Sequence, residues 1–208
     1  MKKVSLIFIL LIGFGCISYT QTVTIGTQVW MTKNLDVATF RNGDPIPQAK
    51  TDEEWANAWE NKQPAWCYYD NDPANGEKYG KLYNWYAVND SRGIAPDGYH
   101  IPSDAEWRKL TDFLGGEYVA GAKMKSKSGW KNDGNGTNES AFSGLAGGYR
   151  YGSGTFYTDG VGVESSWWSS SEGDTSVAWG RYLYYNSGNV NVGKYDKGAG
   201  LSVRCLRD

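Results

Sequence analysis

The chain has 208 residues, with 21 lysines and arginines against 23 aspartates and glutamates, and a formal net charge of −2. Acidic and basic residues are interspersed, so the basic footprint of a nucleic-acid-binding protein is missing and we expect no nucleic-acid partner. Ten tryptophans, 15 tyrosines and 27 glycines favour a loop-rich fold held together by large aromatic rings.

The first twenty residues have the pattern of an export signal. Lys2 and Lys3 precede an apolar run over residues 4–14, and small polar residues follow it. The run is shorter than the roughly 20 apolar residues that span a bilayer. We therefore predict that residues 1–20 are a signal peptide, cleaved after Thr20.

A lipid-anchored N-terminus at Cys16 stays open as an alternative to ordinary cleavage. We favour cleavage because Gly13 stands where a lipobox has an aliphatic residue. The mature chain, residues 21–208, is then long enough for a single domain with a substantial core. No further stretch of its sequence is apolar enough to cross a membrane. The signal pattern of the first residues leads us to expect an exported protein.

The mature chain keeps two cysteines, Cys67 and Cys205. In an oxidising compartment an even pair of cysteines predicts a disulfide. This bond would close a long loop and stabilise the fold by roughly 3–5 kcal/mol. A thiol metal site or a reactive cysteine is the alternative.

The first half of the mature chain carries signals for strands and then for helices. Residues 22–31 alternate in the way that predicts two short strands around a Gly-Thr turn. A capping box formed by Thr51 and Glu54 predicts a first helix over residues 51–62. An apolar stripe predicts a second helix over residues 79–88.

A third helix has the clearest signals. Ser103 and Glu106 have the spacing of a capping box, and Gly115 stops the helix. The apolar residues that recur between them at helical spacing are Trp107, Leu110 and Leu114.

Beyond Gly115 the sequence is rich in glycine and predicts loops and short strands. Strand patterning returns over residues 178–184, 190–194 and 201–206, with a glycine-containing turn at residues 186–189. Helices followed by an antiparallel meander predict an α+β fold.

Six segments of the mature chain, taken in order, resemble the Fibrobacter succinogenes major paralogous domain family. The most specific is APDGYHIPSDAEWRKL at residues 95–110. The others are IGTQVWMTKNL at 25–35, YGKLYNWYAV at 79–88, GGYR at 147–150, WWSSSE at 167–172 and LSVRCLRD at 201–208. The resemblance covers nearly all of the mature chain.

This resemblance implies a C-type-lectin-like fold, with N-terminal strands and two to three short helices, a loop-rich half and a C-terminal antiparallel meander. It also implies export from a bacterium to the periplasm, the cell surface or the medium, and it carries no established activity. The similar formylglycine-generating enzymes share the Pro-Ser-x-Ala-Glu-Trp start of the third helix and an arginine near the end of the terminal strand. A divergent or degenerate oxidase is therefore the alternative function.

The mature sequence lacks the reactive groups that enzymatic relatives use, so we predict a protein without catalytic activity. Those oxidases bind copper through two nearby thiols, whereas Cys67 and Cys205 are far apart in the sequence. A facial three-histidine iron site is excluded because His100 is the one histidine of the chain. Asp104 and Glu106 resemble an acid–base pair, but capping of the third helix explains the glutamate.

Calcium is the one cofactor that the loops suggest, because hard cations take oxygen ligands. A first cluster consists of Asp70, Asn71, Asp72 and Asn75, and it has Lys81 where an EF-hand has its glutamate. The preferred candidate ligands are Asn132, Asp133, Asn135, Asn138 and Glu139. Turn formation by the same residue types is the simpler interpretation.

Aromatic residues crowd the region where lectin-like folds present a ligand face. Rings stack on sugars or anchor protein partners at low entropic cost. The candidates are Tyr151, Tyr157 and Trp168, and we expect that one of the adjacent Trp167 and Trp168 is in the core and the other at the surface. We predict an exported, non-enzymatic binding or structural module whose partner is an extracellular protein or a glycan.

Overall fold

The structure, a computed structural model, describes residues 21–208. The predicted signal peptide and Cys16 lie outside this range. The fold mixes short helices with antiparallel sheets, which confirms the α+β prediction. Within the described range, none of the helices has the length and apolar character needed to cross a membrane.

The N-terminal hairpin forms as predicted. Strands β1 (Thr22–Ile25) and β2 (Gln28–Met31) pair antiparallel around Gly26, whose φ is 62°. The last strand, β9 (Leu206–Arg207), lies between β2 and β5 (Tyr99–His100). The prediction that the final strand extends the C-terminal meander is therefore wrong, because this strand completes the N-terminal sheet instead.

Capping signals located two helices correctly. Helix α1 (Asp52–Glu60) begins after Thr51, whose hydroxyl accepts a hydrogen bond from the N3 backbone amide. Helix α4 (Asp104–Phe113) begins after Ser103, which makes the same bond. Here the Glu106 carboxylate also accepts a hydrogen bond from Ser103 N at 2.8 Å, so both halves of the predicted capping box are present.

The predicted continuous helix over residues 79–88 is wrong. Helix α2 (Pro73–Tyr79) ends where that segment begins, and strand β4 (Leu82–Tyr83) follows and pairs with β3 (Trp66–Cys67). Helix α3 (Trp85–Val88) is a single turn. Nearly every residue of the segment is buried, and a short buried apolar run looks alike in a helix and in a strand.

The glycine-rich region hides a further helix, α5 (Glu117–Met124), where the sequence predicts loops. Its Gly121 lies against the turn at residues 186–189, and an added Cβ would stand 2.2 Å from the Asn189 carbonyl oxygen. Ala122 N donates a hydrogen bond to Gly188 O at 3.0 Å across the same contact. Glycine therefore marks a close approach of two backbones here, which sequence reasoning took for a loop.

A C-terminal antiparallel meander is confirmed for the strands predicted at residues 178–184 and 190–194, but its first strand lies in the region predicted as loops and short strands. The meander consists of β6 (Glu164–Glu172), β7 (Val177–Tyr184) and β8 (Asn191–Asp196) in that order. Side chains alternate between the two faces of the sheet. Trp167 therefore packs in one hydrophobic cluster and Trp168 in another.

Large aromatic rings form the core on the Trp167 side of the meander. Trp30, Trp107, Phe142 and Trp167 are each 0% exposed. They form five tilted or edge-on ring pairs, with centroids between 4.8 and 6.3 Å apart. The composition-based prediction of a fold held together by rings is confirmed.

The predicted disulfide is wrong, because Cys67 and Cys205 are both free and buried. Strands β3 and β4 form a two-stranded ribbon whose side chains alternate between its faces. Trp66 and Tyr83 point into the hydrophobic cluster that contains Cys205, whereas Cys67 packs in a separate cluster. The ribbon thus keeps the thiols apart, and burial raises the pKa of each to about 12.

Candidate ligand-binding site

One face of the meander carries tyrosines beside a buried carboxyl group. Glu164 lies directly opposite Tyr184, and Ser166 lies opposite Tyr182, so the four side chains point to the same side of the sheet. Tyr195 of β8 joins them, since its hydroxyl lies 3.1 Å from Ser166 Oγ. The strand register therefore gathers these groups.

A neighbouring loop adds three more rings. Tyr149 and Tyr157 stack with their ring centroids 4.9 Å apart and an interplanar angle of 21°. Tyr151 packs edge-on against Tyr149 at 5.1 Å and is 39% exposed. A bridge between Gly148 and Ser165 holds the loop to β6. We call the following set the tyrosine face: Tyr149, Tyr151, Tyr157, Tyr184 and Tyr195.

Glu164 supplies a buried carboxyl group next to this face. Its side chain accepts a hydrogen bond from Ser166 Oγ at 2.7 Å. Burial raises the pKa of the Glu164 carboxyl and outweighs the lowering effect of hydrogen bonds from Ser166 and Tyr195. In such a low-dielectric setting a hydrogen bond from this carboxyl group to a ligand is stronger than in water.

Three hydroxyl groups of the tyrosine face, those of Tyr149, Tyr157 and Tyr195, have raised pKa values and stay protonated. Tyr157 Oη lies 3.5 Å from Tyr184 Oη and donates to Asp159 Oδ2 at 3.1 Å. The contact with Tyr184, partial burial and the bond to Asp159 together raise the pKa of Tyr157. Burial is the main cause that raises the pKa values of Tyr149 and Tyr195. The face thus offers flat rings, neutral hydroxyls and carboxyl groups, which suit hydrogen bonding and stacking.

Trp168 is not part of any open surface, which corrects the prediction that it contacts a ligand. Trp167 and Trp168 are both 0% exposed, so the expectation that one of them faces solvent is wrong. Trp168 Nε1 donates to Tyr83 O at 2.7 Å, and Trp167 Nε1 donates to Asn34 Oδ1 at 2.9 Å. Both faces of the meander are covered at this point, so alternation sends the two rings into two different clusters.

The proposed calcium loop is built from turns. Asn135 Oδ1 accepts a hydrogen bond from Trp130 N at 3.0 Å, and Asn138 Oδ1 accepts one from Ser143 N at 2.8 Å. Left-handed backbone conformations occur at Asn132, Asp133 and Asn138, with φ between 50° and 57°. Glu139 is exposed. Two of the candidate ligand oxygens therefore already accept hydrogen bonds from backbone amides. Calcium binding by this loop stays a prediction.

His100 is held between two carboxylates. Its Nδ1 lies 2.8 Å from Asp208 Oδ1, and its Nε2 lies 2.9 Å from Glu106 Oε1. Partial burial lowers the pKa of His100, but the hydrogen bonds with the two acids outweigh it and the pKa is raised. Both nitrogens of the charged ring are donors with fixed partners, so the ring has no free lone pair to act as a general base.

We predict that His100→Gln destabilises the protein more at about pH 5.5 than at about pH 8.5. Because the folded pKa is raised, the contribution of His100 is fully present below the unfolded value near 6.5 and is lost as the pH rises through the folded value. Urea unfolding of both proteins at the two pH values measures the difference. Equal losses of unfolding free energy at both pH values would contradict a stabilising interaction of charged His100 with Glu106 and Asp208.

A hollow of about 540 Å³ lies beside His100 and Glu106, but it offers few free polar groups. Its floor includes the apolar side chains of Val88 and Ile94. The Arg41 guanidinium at its edge donates to Ala95 O at 2.6 Å and to Tyr99 O at 2.5 Å. Since the charged groups around the hollow are engaged with the protein itself, we place the candidate site at the tyrosine face.

Sequence reasoning named Tyr151 and Tyr157 but did not name Glu164 or Tyr195 as site residues. The period of two along β6, which puts Glu164, Ser166 and Trp168 on one face, is the signal that points to the glutamate. Without the register between the strands, nothing in the sequence pairs Glu164 with a tyrosine of β7.

Comparison with known proteins identifies the family. No curated protein and no solved structure matches the chain. The model of the Fibrobacter succinogenes major domain matches residues 23–207, nearly the whole described range. The chain therefore belongs to the Fibrobacter succinogenes major domain family.

Proposed function

We propose that the protein is an exported, non-enzymatic recognition module that binds a glycan through the tyrosine face. The observation that carries this proposal is the stacked pair Tyr149 and Tyr157, with Tyr151 exposed beside it and Glu164 next to it. Export to an extracytoplasmic compartment of a bacterium is supported by the sequence pattern of residues 1–20. A C-type-lectin-like scaffold is supported by the six motifs and the mixed architecture.

The chemistry of the tyrosine face fits a sugar better than a charged or purely apolar ligand. Pyranose rings present apolar C–H faces that pack on aromatic rings, and hydroxyl groups at the edge that need partners. The rings of Tyr151 and Tyr157 supply the first kind of contact. Asp159 and Glu164, together with neutral tyrosine hydroxyls, supply acceptors and donors for the second.

An array of glycans and proteins, probed with and without calcium, tests the proposal. We expect binding to glycans, and we expect Tyr151→Ala/Tyr157→Ala to weaken it by about 2 kcal/mol, which is roughly 30-fold. Tyr118→Ala is the matched control, because Tyr118 is 74% exposed on α5, outside the tyrosine face. A protein ligand alone, or glycan binding that the double variant retains, would refute a glycan site here. Binding that requires calcium would support the proposed loop of residues 132–139.

One observation, the presence of two free thiols, favours a second candidate function, that of a divergent oxidase. Enzymes of that kind need free cysteines, and Cys67 and Cys205 are both free. However, burial holds both thiols in their protonated form, and the β3–β4 ribbon separates them. Copper needs thiolates that share one site.

We predict that neither thiol reacts with an alkylating reagent in the folded protein and that both react after unfolding. Mass spectrometry of the labelled protein, with and without urea, measures this. Rapid labelling of both thiols in the native state, together with stoichiometric copper uptake, would instead support the oxidase. A mass two units lower, with no labelling after unfolding, would show that the disulfide forms.

A further inference from the structure

The structure contains three buried arginines, and one of them has no acidic partner. Arg150 pairs with Asp52 at 3.0 Å, and Arg181 pairs with Asp104 at 2.7 Å. Arg204 is 1% exposed, and among the described residues no carboxylate forms an ion pair with it. A buried charge without a counter-charge is costly, so Arg204 requires an explanation.

Neutral acceptors hold most of the Arg204 guanidinium. Nε and Nη2 donate to Asn34 Oδ1 at 3.0 and 2.8 Å, and Nη1 donates to Met31 O at 3.1 Å and to Phe142 O at 2.6 Å. A guanidinium has five N–H groups, so one N–H of Nη2 is left. Burial lowers the pKa of Arg204 to about 9. This value is still above neutral pH, so the guanidinium remains charged there.

A hollow of about 230 Å³ reaches Arg204 from the surface. Lys33 and Lys78 line it, and both side chains are exposed. Two acids also line it, but Asp36 is paired with the buried Lys81. Glu77 is then the remaining lining acid, and it faces three cationic residues, Lys33, Lys78 and Arg204. We call Lys33, Lys78 and Arg204 the basic hollow.

We propose that the basic hollow binds a compact oxyanion of the sulfate or phosphate class. The anion accepts the remaining N–H of Arg204 and supplies the counter-charge that the fold leaves out, while Lys33 and Lys78 contact it from the mouth. The hollow has room for such a group, and fixed N–H donors with flexible ammonium groups are the usual partners of these anions. The site is independent of the tyrosine face.

Titration of the protein with sodium sulfate and with sodium phosphate, at constant ionic strength against sodium chloride, tests this proposal. We follow the NMR signals of the Arg204 side chain and of the backbone amides. We expect saturable shifts around the basic hollow with both oxyanions and none with chloride. Methyl sulfate and methyl phosphate form further arms, because their binding would show that the anion can be borne by a larger molecule.

The lysines provide a variant that keeps the core intact. Lys33→Ala/Lys78→Ala is expected to weaken oxyanion binding roughly fivefold to tenfold, since two cations leave the mouth. Lys109→Ala/Lys127→Ala removes the same charge from exposed positions elsewhere and should leave binding unchanged. Identical responses to sulfate and chloride would overturn the proposal, and so would equal affinities of the two double variants.

Discussion

Replacing Trp107 by alanine is expected to lower the free energy of unfolding by about 3–5 kcal/mol. Trp107 is 0% exposed, and its ring lies 4.8 Å from Trp30, 5.9 Å from Phe142 and 6.3 Å from Trp167. It joins α4 to the N-terminal hairpin and to the meander. Its removal leaves a cavity between three elements, and none of them can close the gap without disturbing the others.

Urea unfolding followed by far-UV circular dichroism measures the loss. Phe113→Ala is the matched control, because Phe113 lies on the same helix and is 63% exposed. We expect the control to lose less than about 1 kcal/mol. A loss for Trp107→Ala as small as that of the control would contradict the aromatic core described here.

Arg150→Met is expected to cost about 3 kcal/mol, because it leaves buried carbonyl oxygens without donors. Arg150 is 0% exposed and donates to Gly154 O at 2.5 Å, to Thr51 O at 2.9 Å and to Ala49 O at 3.4 Å. Methionine keeps the apolar stem but has no donor. The loop that carries Tyr149 and Tyr151 is held in part by these bonds, so the loss also loosens one side of the tyrosine face.

The matched control for Arg150 is Arg108→Met. Arg108 is an exposed arginine of α4 that faces Asp104 at 3.5 Å one turn away. Exposed ion pairs of this kind contribute less than about 1 kcal/mol. Thermal unfolding of both variants separates the two cases, and equal melting temperatures would show that the buried hydrogen bonds of Arg150 contribute little.

Local signals predicted the elements whose ends are set by capping and by turns. Ser103 and Thr51 marked the starts of α4 and α1, since a side-chain acceptor at the N-cap works within one turn of helix. The hairpin around Gly26 was equally local. These features depend on neighbours in the sequence, so the sequence suffices to find them.

Features that depend on distant partners were missed. The segment of residues 79–88 is buried from several sides, and its burial hides the period that would separate a strand from a helix. Gly121 is explained by the close approach of the turn at Asn189. The thiols of Cys67 and Cys205 are kept apart by a ribbon whose pairing no local pattern reveals.

The candidate site was predicted in part for the same reason. Tyr151 and Tyr157 lie in a loop with several aromatic residues, and this local composition is enough to predict that they contact a ligand. Glu164 and Tyr195 join them through the register of the meander, a long-range property. A ring as large as that of Trp168 is as suited to the core as to a ligand, and here it fills the core.

Mapping of chemical shifts in the ¹⁵N-labelled protein, on titration with a glycan selected by the array, tests the central claim most directly. We predict that the perturbed amides cluster along residues 148–159 and at the ends of β6 and β7 that carry Glu164 and Tyr184. Tyr151→Ala/Tyr157→Ala should need roughly 30-fold more glycan to produce the same shifts. Perturbations confined to the hollow beside His100, with the tyrosine face unchanged, would show that recognition occurs elsewhere on the molecule.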